Sequence, residues 1–217
     1  MDLNQTIQKY SSHPLTHQLL MSFLKDYKRP NDKLKALKAE GVIESIKKGL
    51  YIAGPKISSS KPENFLLANQ IYGPSYVSLE TALSYHGLIP ERVYETASMT
   101  TKTRREFNTP AGLFTYTHLP LPYYAFGLNL VKLSPEQYAI IASPEKALCD
   151  KIVSTSGVLL RSTTQAKAYL LEDLRIEESS LKKLDLKNIL SWLTDAPKKE
   201  SLETLIKPSR TYDKGMD

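Results

Sequence analysis

Residues Asn31 to Ala53, NDKLKALKAEGVIESIKKGLYIA, predict a short basic helix running directly into a two-stranded ribbon whose tip is Lys47-Lys48-Gly49. Pro30 disfavours helical geometry at Arg29, and the side-chain oxygen of Asn31 can cap the first turn, so the helix has a defined start. Leu34 and Leu37 mark one apolar stripe, and Gly41 stands where helices commonly end in left-handed geometry. Val42, Ile43 and Ile46 lead up to the tip, and Leu50, Tyr51 and Ile52 return as the second strand. This is the outline of a winged helix. Its cationic tip is expected to stay out of the core.

With Leu34 and Leu37 turned inward, Asp32, Lys35, Ala36 and Ala39 fall on the outward side of the helix, and Lys33 and Lys38 on its flanks. A reader of the major groove needs such a face. Small alanines let the backbone approach base edges, Lys35 can donate to guanine, Asp32 can accept from cytosine, and flanking lysines meet phosphates. The competing reading is an ordinary solvated amphipathic helix. Charge distribution favours the first reading. Through residue 60 there are ten cations (Lys9, Lys25, Lys28, Arg29, Lys33, Lys35, Lys38, Lys47, Lys48 and Lys56) against five acids (Asp2, Asp26, Asp32, Glu40 and Glu44), so most of the net +6 of the chain lies there. The candidate DNA-binding set is therefore Lys28, Arg29, Asn31, Asp32, Lys33, Lys35, Ala36, Lys38 and Ala39 on or beside the helix, with Lys47 and Lys48 on the ribbon tip.

A chain of 217 residues exceeds a lone winged helix and predicts two domains. Its 41% hydrophobic and 24% charged residues supply a core in a globular chain. There is no apolar run of membrane-spanning length and no apolar signal region in MDLNQTIQKY, so a cytoplasmic location without membrane contact is expected. The lone Cys149 excludes an internal disulfide and reads as a buried small residue on a helix.

The predicted class is α+β, with a winged helix-turn-helix over 1–54, a linker over 55–62, a mixed α/β domain with a small sheet and flanking helices over 63–206, and a flexible tail over 207–217. Helices over Thr6–Ser12 and Thr16–Leu24 would support the basic helix, and the Ser-, Lys- and Pro-rich GPKISSSKP marks the linker. Beyond it a helix is expected over Glu63–Tyr72, then one capped by Ser78 and closed by Gly87. Strands are expected at Val93–Met99, Phe107, Leu113–His118, Leu128–Lys132 and Tyr138–Ala142. Ser143-Pro144 opens a further helix, and the chain from Thr164 to Ile206 is mostly helical by pattern.

The basic ribbon ending IKKGLYIAG, then YVSLETALSYHGLIPE, TKTRREF and AIIASPEKALCDKI, together resemble the AbiEi family of antitoxins from about residue 15 to about residue 153. The resemblance implies an N-terminal winged helix that binds inverted repeats in its own promoter as a repressor. It further implies a C-terminal domain that neutralises a nucleotidyltransferase-like toxin, by direct contact or through a shared target. DNA reading would fall on Asn31 to Ala39, with wing contacts at Lys47 and Lys48. No catalytic set is carried over, and no enzymatic activity is expected.

Three further features of the second domain admit more than one reading. Lys102, Arg104 and Arg105, set among threonines and Glu106, suit a phosphate or acidic partner, but equally a solvated hairpin loop. A restriction-like nuclease would need paired carboxylates with a lysine, for which Glu95, Glu145 with Lys146, and Asp150 with Lys151 are the nearest candidates. Glu145 at a helix start is better explained by the helix dipole. Tyr116, Tyr123, Tyr124, Tyr138, Phe114 and Phe126 could form a stacking platform for single strands, although such residues are more often sheet core. His13 and His17 flank Pro14 without a third ligand, and no Gly-rich phosphate loop occurs, so neither metal nor cofactor is expected. A one-component regulator sensing a small ligand is the remaining alternative.

Overall fold

The computed structural model describes residues 2–212 and is mixed α+β, with strands in two sheets. The first unit runs α1 (Leu3–Lys9), β1 (Leu15–Thr16), α2 (His17–Phe23), α3 (Pro30–Ala39), β2 (Ile43–Lys47) and β3 (Leu50–Ala53). Asp2 and Thr16 cap α1 and α2, accepting from the backbone N–H of Asn4 and Leu19. α3 begins two residues earlier than a cap at Asn31 would place it. Pro30 occupies its first position, where a missing N–H is harmless, so Arg29 becomes the cap residue and Asn31 lies inside the first turn without capping it. Gly41 ends the helix with φ +71.

The three strands form an antiparallel sheet in the order β1-β3-β2. The side chains of β3 alternate between two cores. Tyr51 and Ala53 pack with Leu34, Leu37 and Ile43 inside the first unit, whereas Leu50 and Ile52, with Ile46 of β2, join the core of the second unit. All four β3 residues are buried.

The second unit starts with α4 (Asn64–Ile71), β4 (Ser75–Val77) and α5 (Leu79–Tyr85). β5 (Thr96–Thr100), β6 (Arg105–Thr109), β7 (Gly112–His118), β8 (Leu128–Ser134) and β9 (Gln137–Ala142) follow. It closes with α6 (Pro144–Ser154), α7 (Thr163–Ala168), α8 (Glu178–Leu181), α9 (Leu186–Trp192) and α10 (Lys199–Tyr212). The sheet is larger than expected: six strands in the order β6-β7-β5-β4-β9-β8. β4 sits inside it, antiparallel to β5 and parallel to β9. Successive β4 residues bond to helices on opposite faces: Ser75 Oγ donates to Ala68 O of α4, and Tyr76 Oη to Asp150 Oδ2 of α6. Ser78 precedes α5 but does not cap it, because its hydroxyl also donates to Asp150 Oδ2, at 2.8 Å. Ser143 does cap α6, accepting from Lys146 N at 3.2 Å.

Residues 55–62, expected as a linker, are tied at both ends. Ile57 packs on the first core, Lys61 pairs with Glu44 at 3.8 Å, Pro62 is buried, and the N–H of Glu63 donates to Gln137 Oε1 at 2.8 Å. α10 continues to Tyr212 through residues expected to be loose, while 213–217 lie outside the described residues. Of the aromatic residues that could stack on single strands or fill the sheet core, Phe114, Tyr116, Tyr123 and Tyr124 are buried in the core, while Tyr138 is exposed. Among the described residues no helix is long and apolar enough to cross a membrane.

Gly54 closes the first unit. A Cβ there would lie 2.1 Å from the carbonyl oxygen of Gly41, a backbone atom that cannot swing aside. Gly54→Ala is therefore expected to destabilise the fold by about 3 kcal/mol, read as a lower urea midpoint at unchanged m-value.

Candidate nucleic-acid interface

The outward face of α3 is exposed and cationic. Lys35, 82% exposed, stands 3.9 Å from Asp32 one turn earlier, and Asn31, Lys38 and Ala39 are exposed beside them. Such an exposed ion pair contributes little to stability. Lys28 and Arg29 are exposed where the chain enters the helix. Lys33, on the flank, is half-buried, with its ammonium 6.0 Å from the ring centre of Tyr27, and Ala36, expected on the outward side, is half-buried as well.

The two lysines of the β2–β3 turn behave differently. Lys48 is exposed, but Lys47 is half-buried and its ammonium donates to the carbonyl of Ile71 at the end of α4. The expectation of two equivalent cations at the tip is thus corrected. Ile46 packs into the second unit and carries Lys47 with it. Lys102 of the β5–β6 loop donates to the carbonyl of Gly73, in the same turn. The last carbonyls of a helix lack intrahelical partners and carry partial negative charge, so the C-terminal end of α4 holds one lysine from each unit.

Lys47, Lys102 and Arg105 consequently converge. Burial lowers the pKa of Lys47 from its ordinary value, and the positive charges of Lys102 and Arg105 lower it further. Tyr72 is the hub of the cluster. Its ring centre lies 5.1 Å from the Lys102 ammonium and 5.7 Å from the Arg105 guanidinium, and its hydroxyl is 3.4 Å from that of Thr103. Arg105 also covers Phe107 at 5.1 Å, while Arg104 is exposed. The structure thus joins the ribbon tip and the Lys102–Arg105 loop into one basic surface. No sequence motif links Tyr72 to either.

Two of the carboxylates considered for a nuclease, Glu145 and Asp150, are occupied. Glu145 accepts from Ser143 Oγ at 2.8 Å and from the N–H of Asp185 at 2.9 Å. Asp150 is fully buried. Its Oδ2 accepts from Tyr76 and Ser78, and its Oδ1 lies 2.9 Å from the fully buried ammonium of Lys146, a contact of charge rather than of directed hydrogen-bond geometry. Lys146 donates to Tyr123 O at 2.9 Å and stands 3.3 Å from the Tyr123 ring centre. Burial raises the pKa of Asp150 and lowers that of Lys146, and their mutual attraction opposes both shifts. Burial also pushes the Cys149 thiol upward, so it stays protonated. His86 bonds to Ala142 O at 2.8 Å, and His13 lies 3.6 Å from Glu136. Among the described residues no group of three or more His, Cys, Asp or Glu is placed to hold a metal.

No family model matches the chain, and no curated protein matches it.

Removing one partner of the buried pair leaves an uncompensated charge. Lys146→Met is expected to cost about 3–5 kcal/mol in chemical denaturation, and adding Asp150→Leu should recover part of that loss.

Proposed function

We propose that this protein is a cytoplasmic, non-enzymatic transcriptional regulator that binds double-stranded DNA. In this reading the first unit is a winged helix with α3 in the major groove and the β2–β3 turn as the wing. The observation that carries it is the exposed Asp32, Lys35, Lys38 and Ala39 face of α3, in a chain that also exposes Lys48, Lys102, Arg104 and Arg105. Small and hydrogen-bonding side chains on the helix suit base edges, and the cations suit phosphates. Following the resemblance to AbiEi antitoxins, the DNA is the promoter of the protein's own operon, carrying inverted repeats. The second unit neutralises a nucleotidyltransferase-like toxin, directly or through a shared target.

Fluorescence anisotropy on the upstream intergenic duplex and on a shuffled duplex tests the DNA reading. Preference for the native duplex is expected, whereas equal weak binding to both would overturn it. Lys35→Ala should narrow the gap between the two duplexes by about 1–3 kcal/mol. Lys48→Ala should instead weaken both and flatten the salt dependence by about 0.9 in log–log slope. Lys47→Ala should change that slope less, since its ammonium is held by Ile71 O. Rescue of growth on co-expression with the neighbouring gene tests the antitoxin role; no rescue would sink it.

A further inference from the structure

The six-stranded sheet has two different edges. β6, at one end, lies beside β2 and carries Arg105 within the basic cluster. β8, at the other, has no strand beyond it among the described residues.

The direction of the β8 backbone follows from its neighbour. The N–H of Ile140 in β9 donates to Asn69 Oδ1 at 2.6 Å, and Asn69 Nδ2 donates to Ile140 O at 3.2 Å. Within a strand, the N–H and C=O of one residue point to the same side, and successive residues alternate. Ile140 therefore turns both groups toward α4 and away from β8. Its register partner Leu130 must turn its own N–H and C=O away from β9, out to the open edge, and Leu128 and Lys132 do the same by alternation. The side chains beside this edge are apolar: Leu130 is 72% exposed, Ile140 40% and Tyr138 46%. Proteins normally blunt such an edge with charge, proline or a covering segment. Here Lys132 is the one charged residue along β8.

We propose that the β8 edge binds a second copy of this chain, strand to strand and antiparallel, about a two-fold axis at Leu130. In that register each Leu130 exchanges both backbone hydrogen bonds with its counterpart, and the most exposed leucine of the sheet is covered on the axis. Leu128 of one copy opposes Lys132 of the other. The two lysines then stand four residues apart along the strands, roughly 14 Å. A register centred on Lys132 would set like charges face to face, which is destabilising. The strand is thus self-complementary, apolar at its centre and cationic off the axis, as an isologous contact requires. The β6 edge is unsuited to the same contact, because a two-fold there would bring two basic clusters together.

Sedimentation velocity of the full chain at tens of micromolar tests the proposal. A dimer is expected, and Leu130→Lys, which places two ammoniums on the axis, should yield a monomer with an unchanged circular dichroism spectrum. Leu130→Cys gives an independent reading, since the native thiol of Cys149 is fully buried. Mild oxidation should cross-link that variant into a dimer, while a cysteine at the exposed Gln18 of α2 should not cross-link. A wild-type chain that stays monomeric, a dimer that persists in Leu130→Lys, or a dimer that fails to cross-link through Leu130→Cys would each overturn the proposal.

Discussion

β3 is buried on both faces, and the placement of every other element near the candidate interface depends on that burial. Leu50 and Ile52 look into one core while Tyr51 and Ala53 look into the other. Each aliphatic side chain removed from water contributes about 1.5–3 kcal/mol. Because the strand repeat is two, a slip of one residue would exchange both sets at once and place Tyr51 in the larger core. Register is therefore enforced from two sides. The orientation of α3, which connects to β2 through Gly41 and Val42, is fixed relative to the six-stranded sheet and not only to its own small core.

This coupling also accounts for the convergence of like charges. Bringing Lys47, Lys102 and Arg105 together is unfavourable in isolation, and the pKa of Lys47, lowered first by burial, is lowered further by the two neighbouring charges. The carbonyls of Ile71 and Gly73 and the ring face of Tyr72 offset the repulsion. Under the proposed function the cluster divides the work. Cations already held by carbonyls lose less freedom on meeting a phosphate but present less charge, while Lys48 and Arg104 keep their full charge in solvent and would release counterions on binding.

Local signals made part of this legible in the sequence. The α3 stripe, the left-handed Gly41 and the Ser143-Pro144 start of α6 each depend on neighbours within about four residues, and the structure has all three. What was not legible depends on distant partners. β4 is three residues long and carries no period of its own; it is a strand because β5 and β9 flank it. Ser78 has the composition of a cap, but Asp150, 72 residues away, takes its hydroxyl. The doublet Lys47-Lys48 looks symmetric until Ile46 turns into the second core. The aromatic run at 114–126 was ambiguous because stacking surface and sheet core use the same residues, and only burial separates them.

The Lys146 and Asp150 pair shows why a costly buried interaction can persist. Desolvation works against both charges, and well-packed apolar residues of similar volume can be as stable as such a pair or more so. The pair's partners, however, come from separate segments: Tyr76 and Ser78 at β4, and Tyr123 in the loop before β8. Gly127 completes the arrangement, since a Cβ there would meet Lys146 Cβ at 2.7 Å and the Trp192 ring at 3.1 Å. Apolar replacements could fill the same volume but could not specify which strand and which loop meet α6. The pair thus sets the position of α6 against the sheet through directional contacts, and the loop it holds at Tyr123 leads directly into β8, the strand proposed to pair with a second copy.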